Sequence, residues 1–372
     1  MAPALHPSQT AAIAHIHSTP LTLRSQSLEM INHVLYMANC LPTSSTRTAL
    51  LSAIRRTARV ALHFHPDRPV GDFVSPTVAS SLLADGIYRS QFETGISNGG
   101  HSARPGGARD EWERSLFGGA YHADGWEDEE GEWRGLRPKY GALDILGVAS
   151  DGPAPRFGSC CLVLRREVLE RCTFTFGGSQ DEPKWRGTME MFDGVLAGAL
   201  EDAFMRETTM GVRGEMRPSG LVKAILARGE GGEGERVRTG NLDYYVEVQV
   251  HGEVRLERDV ESLVADPSFR GSEVGEEMEK LAEKFGFPLW WHVGSVIGAE
   301  EVPSDFRGPT VPSLAQRVAK DGAVTAKDIG DAVRELARDP EAWKERGSQS
   351  HVMQELKWLW HVLVRYGKPF DG

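Results

Sequence analysis

Glu247 and Gln249 lie two residues apart in the run DYYVEVQVHGEVRLER, and His251 follows them. Val246, Val248 and Val250 alternate with these three, which is the period of a strand, so the polar three share one face. A fixed carboxylate on such a face can stabilise a cation that forms as a bond breaks. A histidine beside it can orient it or move a proton. Far upstream, residues 88–100 (YRSQFETGISNGG) concentrate a phenol (Tyr88), an amide (Gln91), a carboxylate (Glu93) and hydroxyls (Ser90, Thr94, Ser97) around Phe92. Gly95, Gly99 and Gly100 let the backbone approach a ligand closely, and the stretch reads as the floor of a binding site. Just before it, HFHPDR sets His63, His65, Asp67 and Arg68 at a strand end. His65 and Arg68 suit a phosphate or a ribose. Arg156, Gly158 and Ser159 in PRFGSC could cradle a phosphate as well.

These groups need a scaffold. Helical spacing predicts two helices within residues 8–60, one through Leu28, Ile31, Val34, Leu35 and Met37 and one through Leu50, Leu51, Ile54 and Ala58. Pro42 separates them, and Ser44, Ser45 or Thr46 is expected to cap the second. Val60, Leu62 and Phe64 predict a strand that Pro66 ends, followed by a short helix over 77–84. Residues 101–139 mix charge with Trp112, Phe117, Tyr121, Trp126 and Trp133, which points to an ordered excursion. Its acidic residues Asp110, Glu111 and Glu113 read as solvated or paired with Arg109 and Arg114. Two strands are expected over 156–176. A helix is expected over 188–207, with Met191, Val195, Leu196, Leu200 and Phe204 on one face. A Gly-rich loop follows at 229–240. The strand signal of 243–258 has a bend or hairpin at Gly252, and helices at 273–285, 312–320, 325–338 and 351–366 follow, with Trp290, Trp291, Trp358 and Trp360 anchoring them. The expected organisation is a helical lobe (1–58), an α+β catalytic-type domain (59–298) and a helical C-terminal extension (299–372).

Across 372 residues the chain is 40% hydrophobic with a formal net charge of −11, which argues against nucleic acid as a simple electrostatic partner. Cys40, Cys160, Cys161 and Cys172 show no CxxC spacing, so neither a zinc site nor a redox dithiol is suggested. No apolar run of roughly eighteen residues exists, so no membrane span is expected. The N-terminal residues lack the pattern of a signal peptide, and a cytoplasmic location is the expectation.

His63, His65 and Asp67 form HxHxD. This resembles the first metal motif of metallo-β-lactamase-type hydrolases, although Arg68 stands where that motif continues with His. It implies, as an alternative, a divalent-metal hydrolase. His65-Pro66-Asp67 is also the HPD tripeptide of J-domain co-chaperones, which implies a non-enzymatic peptide- or chaperone-binding protein. A third resemblance joins more of the chain. A strand ending in His65 and Arg68, a polar loop, and a late strand bearing Glu247-x-Gln249 together resemble the ADP-ribosyltransferase superfamily.

That resemblance implies an ADP-ribosyltransferase-like mixed β core and NAD consumed as a substrate. His65 and Arg68 would hold the dinucleotide. Tyr88 or Phe92 would stack on nicotinamide, while Gln91, Thr94 and Ser97 hydrogen-bond it. Glu247 would stabilise the ribosyl cation, with His251 as a general base or orienting group. Ser90, Thr94, Ser97 or Ser159 would serve as the middle hydroxyl motif. Members that modify arginine place Glu or Gln two positions before the catalytic Glu; here Glu comes first. The acceptor stays open among protein, nucleic acid, small molecule and water, so both transferase and NAD glycohydrolase activity are implied. Finally, HFHPDR, YRSQFETGISNGG, RDEWERSLFGGAY, RPKYGAL, PRFGSC, RCTFTFGGS and VEVQVHG, in that order, resemble the domain-of-unknown-function 3626 family over residues 55–295. That likeness implies no particular activity.

Overall fold

The computed structural model describes residues 4–70, 76–96, 102–122, 131–212, 214–232 and 236–370. Two helices open the chain, α1 (Pro7–Met37) and α2 (Thr43–Thr57). There follow β1 (Arg59–Phe64), α3 (Val78–Asp85), β2 (Ile87–Tyr88), α4 (Gln91–Thr94), α5 (Ala108–Leu116), α6 (Trp133–Leu136) and β3 (Lys139–Asp144). Next come β4 (Cys160–Leu164), β5 (Cys172–Phe176), β6 (Arg186–Thr188), α7 (Asp193–Arg206), α8 (Pro218–Gly229), β7 (Val246–Val250), β8 (Val254–Arg255) and α9 (Leu256–Asp259). The remainder is β9 (Val260–Ala265), α10 (Glu273–Phe285), β10 (Leu289–Trp291), β11 (Gly294–Gly298), α11 (Val311–Val318), β12 (Ala323–Thr325), α12 (Ala326–Arg338), α13 (Gln349–Tyr366) and β13 (Lys368–Phe370). No helix among the described residues is long and apolar enough to cross a membrane.

Eight strands make one mixed sheet in the order β10-β9-β4-β1-β3-β7-β5-β6. Only β9 and β10 pair in parallel; the other neighbours are antiparallel. Strand alternation sends Leu62, Phe64, Phe174, Val246 and Val248 into a core shared with Val195 and Leu200 of α7 and Leu221 of α8. The same core continues to Leu356 and Leu359 of α13, so the terminal helices and the sheet pack as one apolar interior. On the opposite face, Thr175 pairs with Glu247 and Thr173 with Gln249 across β5 and β7. Adjacent Cys160 and Cys161 fall on opposite faces of β4 and into separate apolar clusters.

The sequence-based expectations fail at identifiable points. Pro42, not a Ser or Thr, is the N-cap of α2, and no side chain caps that helix. The run over 243–258 turns at Gly252, as expected, at φ 80°, but its end departs from a strand: α9 follows the two-residue β8. Trp290 is 61% exposed and so does not anchor the C-terminal part, and Phe204, at the end of the α7 face that buries Val195, Leu196 and Leu200, is 39% exposed. Strand β3, next to β1 in the sheet, lacks a strand signature because Lys139 and Gly141 replace the β-branched residues that mark strands.

Candidate functional site

Strands β1 and β3 are hydrogen-bonded neighbours for only part of their length. Arg59, Val60 and Ala61 pair with Asp144, Leu143 and Ala142. Beyond Ala61, β1 pairs with β4, through Leu62–Leu162 to Phe64–Cys160, while β3 pairs with β7 from Lys139–Val250 to Ala142–Glu247. The two strands part, and a cavity of about 200 Å³ lies in the fork, lined by His63, Phe64 and His65 from one side and Lys139, Tyr140 and Gly141 from the other. Gly141 sits at the divergence. A Cβ there would lie 2.6 Å from the Ala61 carbonyl oxygen and 2.8 Å from Leu62 Cδ2, so the strands can meet and then part only with glycine at this position.

Elements distant in sequence complete the walls. The polar stretch contributes Tyr88, Gln91 and Thr94; α5 contributes Arg109 and Trp112; and β7 with the residue immediately before it contributes Glu247 and Tyr245. Arg156 and, from α13, Lys357 also line it. Among the described residues its cationic lining is Arg68, Arg89, Arg109, Lys139, Arg156 and Lys357, and Glu247 is the one acidic residue that lines it. The surrounding protein is acidic overall, so this local reversal of sign marks a place for an anion. Burial, then repulsion from Arg156 and Arg68, brings the Lys357 ammonium down to about 8. Arg109 is only 4% exposed, with its guanidinium 4.4 Å from the Trp112 ring centroid and 4.7 Å from that of Tyr140. Arg109 Nε and Nη1 have no hydrogen-bond partner among the described residues.

Glu247 is buried, and its carboxylate is held by several donors. Oε1 accepts from the Ser179 backbone N–H at 3.2 Å and from Gln249 Nε2 at 3.0 Å; Oε2 accepts from the Tyr245 hydroxyl at 3.3 Å. Desolvation raises its pKa, opposed by the Ser179 and Gln249 bonds and by the charge of Arg109. Behind Gln249 a chain of hydrogen bonds runs inward. Thr173 Oγ1 donates to Gln249 Oε1 at 2.8 Å, His251 Nε2 is 3.1 Å from Thr173 Oγ1, and the Tyr121 hydroxyl is 2.6 Å from His251 Nδ1. Because the threonine proton goes to Gln249, His251 must donate from Nε2 and accept from Tyr121 at Nδ1. Burial brings the His251 pKa down to about 3, so the ring stays neutral, as this chain of donors requires.

The cavity brings together His65, Arg68, Tyr88, Gln91, Thr94, Arg156 and Glu247 from the residues named from sequence. It does not take in the others. Phe92 is buried against Trp133, edge to face at 5.6 Å, with the Arg137 guanidinium over its ring, so it has no face for a ligand. Glu93 closes a capping box on α4, its Oε2 accepting from Ser90 N at 2.6 Å. Ser159 is 4% exposed, with its hydroxyl beside Cys160. Gln249 and His251 are completely buried and support Glu247 from behind instead of lining the cavity. Ser97 lies outside the described residues.

His63 accepts from the Ala154 N–H at Nε2, 3.2 Å, and its Nδ1 faces the Gly158 carbonyl at 3.4 Å. Both ring nitrogens are thus engaged with backbone, and no group of three His, Cys, Asp or Glu suited to a metal occurs among the described residues. Asp67 of the HPD tripeptide is 2% exposed, out of reach of a docking partner. His65 is edge-on to Trp360 at 5.0 Å, and burial followed by the charge of Arg68 holds its pKa well below the usual value, so it serves as a neutral hydrogen-bonding group.

Sequence reasoning missed Arg109, Trp112, Lys139, Tyr140, Tyr245 and Lys357. Asp110 and Glu113 are not solvated: both are buried against Arg137, and Glu113 Oε1 accepts from the Tyr140 hydroxyl at 2.7 Å. The strings RDEWERS and RPKYGAL carried Arg109, Trp112, Lys139 and Tyr140; what they lacked was any local sign that α5 and β3 turn toward the same hollow as β7.

A family model described as protein of unknown function (DUF3626) matches residues 59–366, and the chain belongs to that family. No curated protein matches it.

Proposed function

We propose that this member of the DUF3626 family is an NAD-consuming, ADP-ribosyltransferase-like enzyme, with a fold of that kind, passing ADP-ribose to an acceptor or to water. The observation that carries the reading is the carboxylate of Glu247, the one acidic group among the described residues that line the cavity, whose other charged lining residues are cations. When the bond between the ribose carbon and nicotinamide breaks, the electron pair leaves with neutral nicotinamide. Positive charge develops on the ribose as an oxocarbenium ion. A nucleophile then bonds to that carbon and loses its proton. A carboxylate already fixed by Ser179, Gln249 and Tyr245 needs no reorganisation to meet this charge.

The remaining lining fits the rest of the substrate. Arg68, Arg109, Arg156 and Lys357 match a diphosphate, arginine through its planar fork. Tyr88, Trp112, Tyr140 and Tyr245 supply aromatic surface for the nicotinamide ring. The order along the chain, His65 and Arg68 just past β1, Tyr88 on β2 and Glu247 on β7, resembles the superfamily's order, with the early histidine and arginine beyond the first strand instead of on it. Incubation with NAD⁺ tests the reading: released nicotinamide or self-modification, lost in Glu247→Gln, is the expected result. Intact NAD⁺ after long incubation with a range of protein and small-molecule acceptors overturns it.

A further inference from the structure

A second cavity, of about 310 Å³, adjoins the first, and His65, Arg68, Arg156 and Lys357 line both. Its far walls are the helices near the C-terminus. Ser350, Met353, Gln354 and Lys357 of α13 recur at three- and four-residue spacing and so share a face; α12 offers Ile329 and Val333. The surface beyond the cations is therefore largely apolar, with the Gln354 amide and the Ser350 hydroxyl as polar groups. One carboxylate, Asp67, also lines it, 2% exposed, and Asp67 Oδ2 has no hydrogen-bond partner among the described residues.

We infer that the second cavity takes the purine nucleoside end of a nucleoside diphosphate whose phosphates lie along the shared Arg68, Arg156 and Lys357 wall. The inference rests on the NAD reading for what occupies the first cavity. A flat heteroaromatic base suits an apolar slot between two helices whose polar groups can meet its edge. Ribose hydroxyls are the donors that a buried carboxylate with an unused oxygen accepts best. Phosphates need cations, and these three stand where the two cavities meet. α12 and α13 thus become half of the binding site. A ligand spanning both cavities has its labile bond near Glu247 and its nucleoside anchored away from the reacting centre, where binding can be used to position the first half.

Calorimetry with ADP and with pyrophosphate tests this on the full chain. ADP is expected to bind more tightly than pyrophosphate. Met353→Trp, which fills the second cavity, is expected to raise the ADP dissociation constant about tenfold or more while moving that of pyrophosphate by about twofold at most. Gln354→Ala, a milder change at a half-buried position, is expected to weaken ADP about threefold or more and leave pyrophosphate unaffected. Equal affinity of the wild-type protein for ADP and pyrophosphate overturns the inference, as does wild-type ADP affinity in both variants. ADP binding that behaves as expected in a protein that consumes no NAD⁺ sinks the enzymatic reading and leaves this assignment standing. NAD⁺ consumption with wild-type KM in Met353→Trp does the reverse.

Discussion

Gln249 Nε2 stands 3.0 Å from Glu247 Oε1, two residues along the same strand and on the same face. The amide is itself fixed by Thr173, and Thr173 by His251, so the cavity carboxylate is oriented by a buried series of side chains that never reaches the ligand. Gln249→Met keeps the bulk and removes the donor. The expected result is a fall in kcat of about 10- to 100-fold with little change in KM, as for a lost hydrogen bond to a charged group. Steady-state nicotinamide release measures it, and a raised KM with kcat intact would mean Gln249 serves binding instead.

Glu247→Gln should keep the fold and cut turnover by about 100-fold or more. The proposed reaction uses the ionised carboxylate, and burial raises its pKa. The acid limb of the pH–rate profile is therefore expected above the usual carboxylate range, with activity lost as pH falls through it. A limb at the ordinary glutamate position would contradict this.

Gly141→Ala places a Cβ against the Ala61 carbonyl, a backbone atom that cannot move aside cheaply. A loss of about 1–3 kcal/mol in stability is expected, seen as a lowered urea midpoint, together with weaker ligand binding at the fork. A variant as stable as the parent would show that the strands part for another reason.

Lys357, brought down to about 8 by burial and by neighbouring Arg156, Arg68 and Arg307, holds an anion only when protonated. Affinity for pyrophosphate or ADP is expected to be level below about pH 8 and to fall above it, with proton uptake on binding in the alkaline range. Calorimetry in buffers of different ionisation enthalpy detects the uptake, which Lys357→Gln should abolish.

Asp67 has its pKa pushed up to about 7, chiefly by burial and against the pull of Arg334. A carboxyl raised above its unfolded value favours the folded state at low pH, and that contribution is lost as pH rises toward 7. Asp67→Asn is therefore expected to raise the melting temperature at pH 8 and to flatten the pH dependence of stability between about pH 4 and 7. An unchanged stability profile would show that Asp67 is solvated.

Some of this was legible in the chain. The valines of β7 announce a strand and so put Glu247 opposite them, and α10 is found where its periodicity places it, over Glu273–Phe285. His65 and Arg68 fall just past a strand whose apolar alternation is plain. What could not be read locally is the partner of that strand. β3 carries Lys139 and Gly141 because it leaves its neighbour and faces a cavity, and those demands erase the signal of a strand. Arg109 resembles any surface arginine until α5 packs against β3 and its guanidinium lies between Trp112 of the same helix and Tyr140. Gln249 and His251 share the face of Glu247, as alternation requires, yet burial by Tyr121 and Thr173 changes their part from contact to support.

Since Arg68, Arg156 and Lys357 belong to two rooms at once, the occupants of those rooms cannot be energetically independent. An anion that draws these cations toward one side changes the field felt on the other, and by thermodynamic reciprocity each ligand alters the affinity of its neighbour by the same factor.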